Sequence, residues 1–191
     1  MPHATHHVWF AHGKEGTPNG AKIERLTAIA RALGFHTESV DYRGIVSPDD
    51  RVKKLLSLNP DPPGKLVLVG SSMGGYLSLA ASATLNPEGI FLLAPAIGLP
   101  GYALADPAPR ARLVTAIHGW RDDVVPPQNV IEFADRHRVT LHLVEDGHRL
   151  LDAMPVIERL FPLFLSFMQQ RQFKVVPFSN LPFPEHLIET S

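Results

Sequence analysis

Short apolar runs alternate with longer amphipathic stretches along most of the chain, and that alternation limits the folds open to it more than any other feature. The runs lie at 7–11 (HVWFA), 36–41 (HTESVD), 65–70 (KLVLVG), 89–93 (GIFLL), 113–118 (LVTAIH) and 139–144 (VTLHLV). Several are continuously apolar, which is how strands covered on both faces read. Between them lie helical stripes. Ile23, Leu26, Ile29, Ala30 and Leu33 form one that ends against Gly34, a C-terminal cap. Pro127 opens a second, carrying Val130, Ile131, Phe133 and Ala134. Ile157, Leu160, Phe161, Phe164, Leu165 and Met168 form a third, with Pro162 inside it and a kink expected there. Strand and helix in alternation specify an α/β domain with a mainly parallel sheet.

Length and composition narrow the class. A chain of 191 residues suits one domain with a sizeable core. The 18 basic and 19 acidic side chains nearly cancel, so nothing in the charge favours nucleic acid or an anionic membrane as partner. The absence of cysteine removes disulfides, thiolate nucleophiles and Cys-ligated metals. The opening MPHATHHVWF lacks the basic-then-apolar pattern of a secretory signal, and no apolar run reaches the roughly 18 to 20 residues that span a bilayer. The expectation is a cytoplasmic protein. Two stretches resist regular structure. Residues 95–109 hold four prolines and read as a loop. The Pro-rich tail at 172–191 carries Val175, Val176, Phe178, Leu181, Phe183 and Leu187, and is expected to pack on the domain of residues 1–171 or, in a homodimer, on a second subunit.

The chemistry concentrates where 65–70 runs into Gly70-Ser71-Ser72-Met73-Gly74-Gly75 and then into the small-residue stretch from Tyr76. A G-x-S-x-G turn between strand and helix forces the middle serine into a strained backbone conformation and lifts its Oγ off the sheet edge. The flanking glycines leave no Cβ to clash. The helix N-terminus behind the serine points free N–H groups at a developing oxyanion. A bare Gly-Ser turn is the plainer reading of five residues; the flanking elements favour Ser72 as a nucleophile.

A serine hydroxyl needs a base, and the base an orienting acid. The run at 113–118 ends in His118-Gly-Trp-Arg-Asp122-Asp123, and the run at 139–144 ends in Glu-Asp-Gly-His148. Both ends fall on the sheet edge that carries Ser72. Asp122 is the preferred acid, with Asp123 as substitute, and His148 the base. A lone downstream histidine is more often structural, but here it arrives at the right edge. His12 and His118 also end strands yet precede the acid and are followed by glycine. His3, His6 and His7 read as a mobile terminus rather than a metal site; no metal or cofactor is expected. The loop after the first strand, with His12, Gly13 and Lys14, is either a plain turn or the source of a second oxyanion donor, the Lys14 N–H, beside that of Met73. Lys14, Arg43 and Arg149 could face the mouth, although solvated surface charge is the plainer account.

His12–Gly13, the elbow at 70–75, H-G-x-x-D-x-x-V-P at 118–126 and D-G-H at 146–148 together resemble the α/β-hydrolase superfamily. The resemblance implies a doubly wound sheet of six strands in the order 2-1-3-4-5-6, and it places the acid on Asp122. Larger members insert a helical lid before the acid-bearing strand; residues 94–112 are too few for one, so a shallow pocket is expected, walled by His12 and roofed by Ile97, Leu99, Tyr102 and Leu104. The chain is thus most similar to small lid-less serine esterases and dienelactone-hydrolase-like proteins, although a serine nucleophile does not imply the dienelactone reaction. The implied activity is hydrolysis of small carboxylic esters or thioesters through an acyl-enzyme. A non-catalytic binding or partner-docking protein that keeps the fold is the competing expectation.

Overall fold

In the computed structural model, which describes residues 5–169, the six apolar runs form a single parallel sheet. The elements are β1 (His7–Ala11), α1 (Ala21–Ala32), β2 (His36–Val40), α2 (Pro48–Leu58), β3 (Leu66–Ser71), α3 (Met73–Leu85), β4 (Gly89–Leu93), β5 (Leu113–Gly119), α4 (Pro127–His137), β6 (Thr140–Val144) and α5 (Met154–Gln169). The strand order is β2-β1-β3-β4-β5-β6, the expected one. The C-terminal tail and His3 lie outside the described residues.

The sheet is covered on both faces, which explains why its strands lack polar alternation. On one side α1 and α5 bring Ile23, Leu26, Ala30, Ile157, Phe161 and Phe164 against Val8, Phe10, Val67, Val69, Phe91 and Leu93. On the other, α3 and α4 pack Tyr76, Leu79, Val130 and Phe133 on Ile90, Leu92 and Ala116, while α2 adds Leu55 beside Leu77. Full burial of one such side chain is worth about 1.5–3 kcal/mol, so the two layers dominate stability. Gly34 takes φ +83° just after α1, and the Phe35 N–H returns to the Ala30 carbonyl: the expected cap. α5 runs unbroken through Pro162, whose missing N–H leaves the carbonyl one turn back without its helical donor.

Helix α2 is not among the expected elements. Its start carries the full signature: the Ser47 hydroxyl accepts from the Asp50 N–H, proline follows, and Asp49 and Asp50 occupy the first turn. Only Arg51 and Leu55 are buried along it, too few for a strong apolar stripe.

β1 connects outward to β2 on one side and the chain then crosses to β3 on the other. The loops after β1 and β3 diverge at that switch point, and ligand sites of open α/β sheets form there, beyond the strands' C-terminal ends. The β4–β5 connection contains neither helix nor strand, so no lid domain stands above that edge.

Candidate active site

Ser72 stands between β3 and α3 with φ +54° and ψ −118°, a conformation a non-glycine residue holds only when its surroundings enforce it. They do so through both of its backbone polar groups. The Ser72 N–H donates to the Leu93 carbonyl at 2.9 Å, and its own carbonyl accepts from Gly75 at 2.8 Å and Ala96 at 3.0 Å. The two outer glycines of the turn have separate reasons. A Cβ on Gly70 would strike the backbone of Gly74 and Gly75, and one on Gly74 would strike the Ala11 carbonyl at the end of β1.

The His148 Nδ1–H donates to Asp122 Oδ2 at 2.8 Å, and the Ser72 hydroxyl donates to His148 Nε2 at 2.9 Å. Chemistry fixes these directions: an ionised carboxylate only accepts, so Nδ1 carries the proton and Nε2 is left to accept. The Asp122 side chain is fully buried; His148 retains 17% exposure. Asp122 Oδ1 also accepts from the N–H groups of Val124 and Val125, at 2.9 and 2.8 Å. These bonds lock the carboxylate plane. Asp123, the substitute acid, is exposed and lines the neighbouring cavity without meeting His148.

The loops bearing acid and histidine are tied together. Arg121 N–H donates to the Asp146 carbonyl at 2.9 Å, and any Cβ on Gly119 would collide with that same carbonyl. The buried Asp146 carboxylate accepts from Gly147 and Ala153 N–H groups, at 2.7 and 2.8 Å, and so anchors the histidine loop to the start of α5. His118 is wholly buried as well. Its Nε2 lies 3.0 Å from the Val125 carbonyl and 3.3 Å from Asp122 Oδ2, and burial holds its pKa below the usual histidine value. A neutral ring donating from Nε2 satisfies that geometry and leaves Nδ1 without a partner among the described residues. Although His118 lies upstream of Asp122 in the sequence, the fold makes it that carboxylate's neighbour.

The β1–α1 loop lies directly against the serine, since a Cβ on Gly13 would sit 3.4 Å from Ser72 Cβ. Buried His12 fixes this loop: its Nδ1–H donates to the Gly13 carbonyl at 2.8 Å and its Nε2 accepts from Tyr42 N–H at 3.0 Å. Burial lowers the His12 pKa, favouring this neutral form. Met73 occupies the first position of α3, where an N–H has no intrahelical acceptor. Neither the Lys14 nor the Met73 N–H has a hydrogen-bond partner among the described residues.

A cavity of about 1000 Å³ opens beside Ser72 and His148. Phe10, Ile23, Leu26, Val69 and Leu93 form its apolar floor, and His12, Lys14, Arg149 and Leu151 stand among its walls. The expected roof is a correction. Ile97, Leu99, Tyr102 and Leu104 do not line this cavity, because the β4–β5 segment folds down over α3 and α4 instead. Tyr102 stacks edge-on against Tyr76 with ring centres 4.7 Å apart, Ile97 and Leu99 join the core near Val130, and the Leu104 N–H reaches the Tyr76 hydroxyl. Of the three cations weighed for the mouth against the plainer account of solvated surface charge, Lys14 and Arg149 line the cavity, whereas Arg43 pairs with Asp41 at 2.7 Å.

Lys22 was not foreseen. It lines the cavity, donates to the Arg149 carbonyl at 2.8 Å and lies 3.4 Å from the Ser71 hydroxyl, and burial depresses its pKa. Its position continues the α1 apolar stripe one turn before Leu26, and a lysine on the core-facing side of a helix is a legible signal. Among the described residues no helix is long and apolar enough to cross a membrane.

Comparison with known proteins agrees with this architecture. Among solved structures, a protein assigned to the alpha/beta hydrolase superfamily from Xanthomonas campestris pv. campestris is 27% identical, with 84% of this chain and 97% of that one covered at a TM-score of 0.76. Est1E from Butyrivibrio proteoclasticus is 15% identical, covering 89% and 90% at 0.75. An α/β serine hydrolase without lid from Xanthomonas campestris is 18% identical, covering 90% and 88% at 0.69. The last two likenesses concern the fold alone. No curated protein matches the sequence. The model of the alpha/beta hydrolase family matches residues 7–184, and the chain belongs to that family.

Proposed function

We propose that the protein is a serine hydrolase that cleaves small carboxylic esters or thioesters through an acyl-enzyme. One observation carries the reading: an unbroken hydrogen-bonded line from buried Asp122 through His148 to a strained Ser72 whose hydroxyl borders a cavity. In this mechanism Ser72 Oγ attacks the acyl carbonyl as its proton passes to His148 Nε2. Asp122 holds the ring in the reactive tautomer and offsets the charge of the imidazolium. The N–H groups of Lys14 and Met73 receive the oxyanion, preformed donors that need no reorganisation as charge develops. The imidazolium then protonates the leaving alcohol or thiol, and water repeats the sequence to release the acid. Every step is served by side chains and backbone, with no cofactor.

The test is steady-state hydrolysis of p-nitrophenyl acetate by wild type, Ser72→Ala and His148→Ala. Each substitution is expected to lower kcat by roughly 10⁴-fold or more. Wild-type turnover by Ser72→Ala would refute the assignment, whereas a wild-type protein that hydrolyses no ester would favour a docking protein that merely keeps the fold.

A further inference from the structure

Arg51 is 2% exposed, and among the described residues it forms no ion pair. A guanidinium removed from water without a carboxylate is costly, and its surroundings must compensate with oriented acceptors. All of its hydrogen bonds go to backbone carbonyls: Nε donates to Ile45 at 2.7 Å, one terminal nitrogen to Gly13 at 3.1 Å and the other to Lys14 at 3.0 Å. The group also lies 5.7 Å from the Tyr42 ring centre, and the Tyr42 N–H in turn holds His12. Two of its three acceptors therefore belong to the loop that borders Ser72.

The Gly13 carbonyl is the most heavily used acceptor in that loop. It receives Arg51, the His12 Nδ1–H at 2.8 Å and the Gly16 N–H at 3.2 Å. That oxygen shares a planar peptide unit with the Lys14 N–H, and the described chain contains no cis bond. In a trans peptide the N–H points opposite to the C=O. Anchoring the oxygen on Arg51 and His12 therefore turns the hydrogen away from them. Donors on a carbonyl also polarise its own N–H, strengthening the bond it gives. A buried positive charge behind the unit acts in the same sense on an anion in front of it.

We propose that Arg51 is a positioning residue that fixes and polarises the Gly13–Lys14 peptide as an oxyanion donor for acyl transfer at Ser72. The proposal rests on the serine-hydrolase reading above. Arg51 touches no substrate; it acts through the loop, and its effect falls on the transition state rather than on ground-state binding.

The experiment compares wild type, Arg51→Lys and Arg51→Met, using p-nitrophenyl acetate as substrate and phenylboronic acid as a tetrahedral-anion analogue. Arg51→Met is expected to lose 10- to 100-fold in kcat with KM within twofold, and to bind the boronate more weakly by a similar factor. Arg51→Lys, which keeps the charge but cannot bridge two carbonyls, should fall between. A purely structural role would not couple kcat to boronate affinity while sparing KM. Should Arg51→Met fail to fold, Arg51→Lys and the wild-type protein decide: boronate should move the Lys14 amide proton downfield, and less so in Arg51→Lys. An unmoved Lys14 amide, or a folded Arg51→Met with wild-type kcat, overturns the proposal. Failure of the underlying reading looks different, since wild type would then neither hydrolyse ester nor form a boronate adduct.

Discussion

Asp122 and Asp123 are adjacent in sequence and opposite in circumstance. The first is buried, takes two backbone N–H bonds and holds His148; the second faces the cavity without touching the histidine. Asp122→Asn is therefore expected to lower kcat by about 10³–10⁴-fold, since an amide can favour the wrong imidazole tautomer. Asp123→Asn should stay within about threefold, and steady-state kinetics of the pair checks both. Sequence alone narrowed the acid to these two, because neighbours share the same strand end and only burial separates them. The convergence of Ser72, Asp122 and His148 was legible from strand ends. Lys22 and Arg51 went unread, for different reasons. Lys22 left a trace as a charge on an apolar stripe, whereas Arg51 sits on an element whose presence went unrecognised and bonds only to carbonyls, which leave no mark in sequence.

At the scale of elements, the approach of α3 to β1 sets the reactive geometry. Gly74 lets the helix start lie on the Ala11 carbonyl, and a methyl there has no room. Gly74→Ala should lose about 1–3 kcal/mol of stability by overpacking, read by urea denaturation, with activity falling as the elbow shifts. The strands were readable because burial on both faces writes a continuous apolar run, and β1 and β4 match their expected limits. The β4–β5 connection was not. Its Ile97, Leu99 and Tyr102 are apolar in either arrangement, and only tertiary contacts with Tyr76 and Val130 decide that they cover α3 and α4 rather than the serine. The apolar residues that the cavity's lining includes, among them Phe10, Leu26, Val69 and Leu93, have a measurable consequence. A p-nitrophenyl ester series should gain up to about fourfold in kcat/KM per methylene from acetate to butyrate, the worth of about 0.8 kcal/mol per buried CH₂.

For the molecule as a whole, pH and covalent reactivity are the informative variables. His12 and His118 are both buried in the folded protein with pKa values lowered by desolvation. Once unfolded, each takes up a proton near the ordinary value of about 6.5. The unfolded chain thus binds more protons than the folded one below that value, and stability falls with acidification from about pH 6.5 toward the lowered folded-state pKa values. Thermal melts between pH 7.5 and 5 should show this decline, and His118→Asn should flatten it. In the proposed mechanism the Asp122–His148 pair makes one hydroxyl of this molecule a nucleophile. Intact-mass analysis after exposure to a fluorophosphonate, followed by peptide mapping, tests it most directly. A single adduct on Ser72, strongly slowed in His148→Ala, is the predicted result; a protein that stays unmodified, or one labelled equally well as Ser72→Ala, would contradict it.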